Sequence, residues 1–576
     1  MGIPISDNSA LIAPKDGLSY VRGSTTVPLS EATLGPFLLN TVERFPERPA
    51  VVFREQGIRW TWREFAEEVN VLAAGLTALG IVRGDRVGIW SPNRVEWLMT
   101  QFATARIGAI LVNINPAYRL AELEYALNKS GCTAVIAAMR FKGSMYLEML
   151  HALAPELADA EVGNLRAARV PHLRTVIRMG DTPSPGMLTF CELVEMGRVA
   201  LNKAALDAIA TSLGAGDPIN IQFTSGTTGS PKGATLTHRN VVNNARHIAM
   251  AMQLTEMDSL CIPVPLYHCF GMVLAVLACV SVGAQMVFPG EAFDPGATLA
   301  AVSEERCTAL HGVPTMFIAE LDHPDFDKFD LTSLRTGIMA GSPCPIETMK
   351  RVVACMHLAE ITIAYGMTET SPVSFQSSTT DPLDKRTSTV GRIQPHLEAK
   401  VVDAAGQVVR VGVKGELWTK GYSVMLGYWG DEARTREAIV DGWMRTGDLA
   451  TIDGEGYCNL VGRLKDMLIR GGENIYPREI EEFLFRNPKI QSVQVFGVPD
   501  EKYGEEVCAW IVLRPGERMT EEEIREYCRD QIAHYKVPRH IRFVDEMPMT
   551  VTGKVQKYIM REWMIDDLKL SASKTC

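Results

Sequence analysis

Short apolar runs alternate with longer segments of helical period over most of this chain. Arg86-Val-Gly-Ile-Trp90, Ala109-Ile-Leu-Val112 and Ala134-Val-Ile-Ala137 are nearly continuous in apolar character, the pattern of strands buried on both faces. Between and before them, Phe65–Leu79 and Arg94–Ile107 repeat apolar residues at three- and four-residue spacing, which predicts helices. Strands alternating with helices predict βαβ units and mainly parallel sheets, an α/β fold. Phe270–Phe288 approaches the length of a membrane span. Gly271, Ser281, Gly283 and Gln285 interrupt it, and no basic or aromatic belt flanks it. It therefore reads as a buried helix running into a parallel strand, with no transmembrane segment.

The texture changes after about Gly462. Arg478–Phe485 reads as a helix, Ser492–Val498 and Val507–Leu513 as strands, Glu521–Ile532 as a helix and Arg539–Val544 as a strand. We divide the chain into a large N-terminal domain, residues 1–464, and a small α+β domain, residues 465–576. No internal repeat or low-complexity linker separates them.

Composition narrows the function classes. The 576 residues are 46% hydrophobic and 22% charged, the balance of a globular chain with a large core. Lys plus Arg total 58 against 68 Asp plus Glu, a net charge of −10, so no global basic field draws nucleic acid or an anionic membrane. The 12 cysteines are scattered without a CxxC pair, which argues against zinc fingers and a disulfide framework and for a reducing, cytoplasmic setting. The N-terminal segment has neither the basic start and apolar core of a signal peptide nor the arginines of a mitochondrial leader. Met1-Gly2-Ile-Pro-Ile-Ser6 fits a myristoylation pattern by chance composition, and Ser573-Lys-Thr-Cys576 is neither a prenylation box nor a peroxisomal address. Any polyanion this chain handles must be held by local devices.

One such device follows the alternating strand Ile219–Phe223. Thr224, Ser225, Gly226, Thr227, Thr228, Gly229, Ser230, Pro231, Lys232 and Gly233 combine glycine freedom, hydroxyls and one cation, a cradle for phosphate oxygens. Composition alone makes the same stretch a flexible hairpin turn. A Walker A loop needs Ser or Thr directly after Gly-Lys, and here Gly233 follows Lys232, so this is a different phosphate loop.

With this loop the chain resembles the adenylate-forming enzymes: acyl-CoA synthetases, luciferases and peptide-synthetase adenylation domains. Tyr267-His-Cys-Phe-Gly271, Ala340-Gly-Ser-Pro343, Tyr365-Gly-Met-Thr-Glu369, Trp443-Met-Arg-Thr-Gly-Asp448, Gly462-Arg-Leu-Lys-Asp466 and Pro548-Met-Thr-Val-Thr-Gly-Lys554 are similar to that family's further motifs and follow in its order. The resemblance implies a large α/β domain of two similar sheet-and-helix subdomains plus a β-barrel-like part, capped by a small mobile domain. It places Thr224 to Lys232 on the β- and γ-phosphates of ATP, Gly341 and Tyr365 beside the nucleotide, Thr368 at the α-phosphate and Glu369 on Mg²⁺. Asp448 would accept the ribose hydroxyls beside Arg463, and Lys554 would bridge carboxylate and α-phosphate. His268 would shape or gate the acyl site, and Lys465 would be the hinge. Arg470, Gly471, Gly472 and Arg478 would face coenzyme A. Between Gly462 and Arg478 the basic Arg463, Lys465, Arg470 and Arg478 outnumber Asp466 and Glu473, reversing the global sign locally.

Singly, each residue has a plainer reading. Glu369 and Asp448 alone are solvated surface acids, Arg463 an ion-pair partner, Lys554 an exposed turn lysine, and His238, His247 and His311 structural histidines. The ordered set favours an ATP- and Mg²⁺-dependent acyl-CoA synthetase, with texture closest to the medium-chain fatty-acid branch. Met272, Met339 and Met367 are candidates for an adaptable acyl lining, or plain core. A carrier-loading or luciferase-like adenylating enzyme, one acting on an aryl, branched or short-chain acid, and a non-catalytic nucleotide-binding protein are the alternatives. A homodimer is compatible with the sequence, which carries no signal for oligomeric state.

Overall fold

The computed structural model of this chain describes residues 13–224, 231–471, 473–529 and 531–570. The alternation becomes two large sheets with parallel centres. In the first, eight strands run in the spatial order Leu188–Thr189, Thr175–Arg178, Ala134–Ala137, Arg86–Trp90, Ile110–Asn113, Pro218–Thr224, Lys232–Thr237 and Gly427–Tyr428. All pairings up to Pro218–Thr224 are parallel, and the last two are antiparallel. The second sheet has nine strands. Its parallel centre is Glu360–Gly366, Thr336–Ala340, Ala309–Gly312, Ser259–Cys261, Gln285–Phe288 and Pro49–Phe53. Helices cover both faces, which is why strands such as Ala134–Ala137 and Ile110–Asn113 are buried along their whole length.

The predicted helix at Phe65–Leu79 starts earlier, at Trp62, because Thr61 caps it. The Thr61 hydroxyl accepts from the Glu64 amide and the Glu64 carboxylate accepts from the Thr61 amide, a reciprocal pair of a kind that stabilises a helix by about 1 kcal/mol. Phe270–Phe288 is a buried π-helical segment, Phe270–Leu277, then the short helix Ala278–Val282 and a strand parallel to both neighbours. Among the described residues no helix is long and apolar enough to cross a membrane.

A six-stranded antiparallel sheet supplies the barrel-like part: Tyr20–Arg22, Leu397–Val402, Gly415–Gly421, Trp443–Ile452 and Ile439–Val440, with Cys458–Arg463 also on Trp443–Ile452. Beyond it, Leu468–Arg470, Glu473–Ile475, Ile490–Asp500, Gly504–Leu513 and His540–Phe543 form a separate five-stranded sheet. Helices Pro477–Leu484, Glu521–Cys528 and Lys557–Asp567 complete this unit, which has its own apolar clusters around Val493 and Trp510. The helix expected to reach Ile532 ends at Cys528, where Arg529 turns to an extended backbone. Ile532 still packs on the same apolar cluster, so the apolar period outlasts the helix.

The two parallel centres present the carboxyl ends of their strands to one cleft, where α/β proteins bind ligands. Thr224, Gly341, Thr368 and the segment Pro263–Phe270 all follow such strand ends.

Candidate active site

Thr224 ends one strand and Lys232 opens its antiparallel return, directly paired with it. Ser225, Gly226, Thr227, Thr228, Gly229 and Ser230 lie outside the described residues. Pro231 accepts a hydrogen bond at its carbonyl from Tyr125 Oη (3.0 Å), which anchors the return limb. Glu369 sits in the turn Thr368–Thr370, 6% exposed, and its Oε1 accepts from Thr224 Oγ1 (3.3 Å) and Tyr428 Oη (2.8 Å). The Tyr428 ring also lies under Lys232 Nζ at 4.9 Å. Tyr428 thus joins the phosphate-loop lysine to the buried acid, a role no local motif announces. It gets there because Gly427–Tyr428 adds an edge strand to the return limb at Ala234 and Thr235.

On the far side, Asp448 is clamped from both oxygens. Tyr365 Oη donates to Oδ2 (2.6 Å) and Arg463 Nε to Oδ1 (3.2 Å). Asp448 and Arg463 face each other across neighbouring strands, so the ladder itself sets their spacing. Burial, and then the Asp448 charge, raise the Tyr365 hydroxyl well above the ordinary tyrosine range, keeping it a donor. A carboxylate offers about four acceptor positions, so Asp448 keeps capacity for a diol. Gly341 takes φ +89°, and a Cβ there would come within 3.1 Å of Val313.

Lys554 belongs to the small unit and reaches this cleft. Its turn is locked by reciprocal bonds, Thr550 N to Lys554 O (2.8 Å) and Lys554 N to Thr550 Oγ1 (3.1 Å). The adjacent Gly553, at φ +75°, accepts at its carbonyl from Thr315 Oγ1 (3.3 Å), and a Cβ there would strike Val313 at 2.8 Å. The Lys554 side chain keeps access to water in the cleft. Desolvation there and the nearby Arg463 guanidinium, opposed by Asp448, Asp466 and Glu369, bring its ammonium down to about 8. His268 is lowered to about 4 by burial and by Lys554, so its imidazole is neutral near pH 7. Its Nδ1 accepts from the Phe270 amide (3.2 Å), fixing the ring at the start of the π-helical segment. Gly271 allows that bend, since a Cβ would meet the Pro265 carbonyl at 2.3 Å.

Lys465 lies between the strands Cys458–Arg463 and Leu468–Arg470, at the junction of the two units. The nominated coenzyme A residues hold internal partners in this orientation. Arg470 Nη2 bonds Glu506 Oε2 (3.0 Å) with its guanidinium 4.3 Å from the Tyr503 ring centre, and Arg478 Nη1 donates to Leu460 O (2.9 Å). Gly471 takes φ +59°, and Gly472 lies outside the described residues. A cavity of about 310 Å³ opens between the units, lined among others by Asn93, Pro265, Tyr267, Met316, Val551 and Gly553. Elsewhere on this seam Asp322 receives Arg351 Nη2 (2.9 Å), Gln491 Nε2 (3.0 Å) and Arg514 Nη1 (3.3 Å), the last two from the small unit. The sequence gives no sign of this clasp. His238, His247 and His311 each hold a structural partner: the Leu34 amide, Tyr422 Oη and the Ile338 amide. Among the described residues no group of three or more His, Cys, Asp or Glu side chains is arranged to hold a metal by itself.

Comparison with known proteins identifies the family. The AMP-binding enzyme family matches residues 38–429, and the AMP-binding enzyme C-terminal domain matches residues 479–554. YngI of Bacillus subtilis (strain 168), whose name assigns it to the acyl-CoA synthetases, is 50% identical over 548 residues, covering 95% of this chain and 100% of that one. The mitochondrial medium-chain acyl-CoA ligase ACSF2 of Danio rerio is 49% identical over 548 residues, 94% of this chain and 90% of the relative. Among solved structures, the anthranilate CoA ligase AuaEII in complex with anthranoyl-AMP superposes with a TM-score of 0.83 at 26% identity, covering 95% of this chain and 99% of that one. The chain belongs to the AMP-binding enzyme family, among its acyl-CoA synthetases.

Proposed function

We propose that this chain activates a medium-chain carboxylic acid with ATP and passes the acyl group to coenzyme A. A carboxylate oxygen attacks the α-phosphorus, the bond to the β-phosphate breaks, and pyrophosphate leaves. The coenzyme A sulfur then attacks the acyl carbon, losing its proton, and the acyl–oxygen bond to AMP breaks. The observation that carries this reading is Lys554, delivered by the small unit into a cleft where Asp448, Arg463 and Glu369 converge. Two anions must meet there, and an ammonium between them offsets their repulsion. Asp448 would hold the ribose hydroxyls, with Tyr365 and Arg463 orienting its carboxylate. Thr368 would face the α-phosphate, and the Thr224–Lys232 loop the β- and γ-phosphates. The His268 ring, neutral near pH 7 with its one proton on Nε2, would form a wall beside the acyl carbon.

Mg²⁺ fits Glu369: one buried carboxylate, with no three-ligand cage around it among the described residues, suits an ion that takes its remaining ligands from phosphates and water. Bound there, it would neutralise phosphate charge, while Tyr428 and Thr224 hold the carboxylate in place. We assign residues 1–464 to the adenylating domain and 465–576 to a cap that turns at Lys465 between the half-reactions. The 310 Å³ cavity between the units is where the thiol arm would enter. The medium-chain assignment is supported by the named specificity of the ACSF2 relative. The described cysteines are all unpaired, which fits a reducing compartment, and we propose the cytoplasm.

Assaying the two half-reactions separately tests the reading. Acid-dependent exchange of pyrophosphate into ATP should fall by a factor of about 10²–10³ in Lys554→Ala, while supplied octanoyl-adenylate is still converted to octanoyl-CoA within a few-fold of the parent rate. Equal loss of both steps removes the assignment. Transfer to a carrier protein in preference to coenzyme A would favour the carrier-loading alternative.

A further inference from the structure

A line of buried side chains leads inward from the reacting end. Cys269 Sγ, next to His268, donates to Gln222 Oε1 (3.2 Å). Gln222 Nε2 meets Met272 Sδ at 3.6 Å, and Asn113 Nδ2 meets the same sulfur at 3.7 Å. Asn220 Nδ2 donates to Asn113 Oδ1 (2.9 Å). Asn220, Gln222 and Thr224 share one face of their strand, since side chains alternate with period two. Beyond Met272 lies a small buried cavity of about 10 Å³, bounded by Leu34, Leu111, Val241 and Met272 with Gln101 and Asn220. That is room for one water-sized group.

The two amides are conspicuous in this apolar setting. Each is 2% exposed, and neither Gln101 Nε2, Gln101 Oε1 nor Asn220 Oδ1 has a hydrogen-bond partner. A buried donor or acceptor left unpaired has lost its water without a replacement, which is unfavourable. A methyl terminus brought against them leaves that cost standing, whereas a hydroxyl offers both a donor and an acceptor. Met272, Gln222 and Asn113 stand between them and the reacting end, and of the three the thioether, with three rotatable bonds and only weak sulfur contacts, is the easiest to displace. From Thr224 to Asn220 is four residues of strand, about 13 Å, or about ten bonds of extended chain.

We propose that the acyl site continues past Met272 to a polar end wall formed by Gln101 and Asn220, and that the chain prefers medium-length acids bearing a hydroxyl at the far end. This rests on the adenylation reading above and names the substrate class within it. The test is thioester formation by the full chain with plain and terminally hydroxylated acids of about eight to twelve carbons. The hydroxyl should raise kcat/KM by about tenfold at one length in this range, and Gln101→Leu should erase the gain while leaving the plain acid as good or better. Met272→Ala should widen the range of lengths accepted. The length profile of the unsubstituted protein decides the matter even where Gln101→Leu does not fold. No gain at any length, or a gain untouched in a folded Gln101→Leu, overturns the proposal. Turnover of plain decanoate then still upholds adenylation, and its absence with every acid removes the underlying reading instead.

Discussion

The ribose end of the cleft and the seam beneath the small unit are built in opposite ways. At the ribose end, Tyr365, Asp448 and Arg463 all belong to the large unit, and strand pairing sets the spacing of Asp448 and Arg463. Along the seam, the polar contacts between units include single hydrogen bonds and partly exposed ion pairs, such as Thr315 to Gly553 and the Asp322 clasp. Bonds within a ladder are cooperative and hard to break singly, whereas partly exposed ion pairs contribute about 1 kcal/mol or less. The difference teaches which half of the site is built within one unit and which half depends on how two units meet, the division that the proposed swing of the small unit requires.

The hardest blow to that contrast is to freeze the seam. Lys465→Pro fixes φ at the junction, and thioester formation should fall about a hundredfold while pyrophosphate exchange stays within a few-fold. Normal overall turnover sinks the hinge. A second probe uses pH. Lys554 titrates near 8 in the free cleft, lowered from the usual lysine value, so its charge is present below that pH and lost above it. Exchange measured as kcat/KM should therefore fall about tenfold per pH unit above about 8, and Lys554→Arg should move the fall beyond pH 10. An unchanged profile in Lys554→Arg assigns the titration elsewhere.

Loosening the seam is gentler. Asp322→Ala removes a clasp whose partners are 32–36% exposed, and about 1 kcal/mol of bias should shift the half-reactions about fivefold in opposite directions, adenylation down and thioester formation up. Equal change in both reduces Asp322 to a purely structural residue. The smallest effect belongs to the half built within one unit. Tyr365→Phe leaves Asp448 with Arg463 and should raise the KM for ATP about threefold, without altering the ratio of the two half-reactions. A changed ratio would erase the distinction between the two ends.

The parts that could be read from the chain are those whose signal is local. The strands at Arg86, Ala109 and Ala134 and the buried run after Phe270 declare themselves by composition, because burial on both faces leaves no polar alternation. Asp448 and Arg463 are nominated by the resemblance of their motifs, and their pairing across a hairpin, 15 residues apart, is found in the structure. Tyr428 is not legible in the chain, since 59 residues separate it from Glu369, nor is Arg514, 192 residues from Asp322. Such contacts depend on sheet order and on how two units meet, and neither leaves a periodic trace. The helix end at Cys528 is hidden for a related reason: Ile532 keeps the apolar spacing after the backbone has left the helix.

The closed turn around Lys554 carries a consequence for timing. Thr550 and Lys554 exchange hydrogen bonds across the tip of the small unit, so the lysine rides on a rigid mount. Its backbone need not be re-sorted at each arrival, and the ordering entropy of that loop is met once, at folding, instead of in every cycle. In the proposed alternation only the position of the small unit as a whole has to change, and its reagent arrives already aimed.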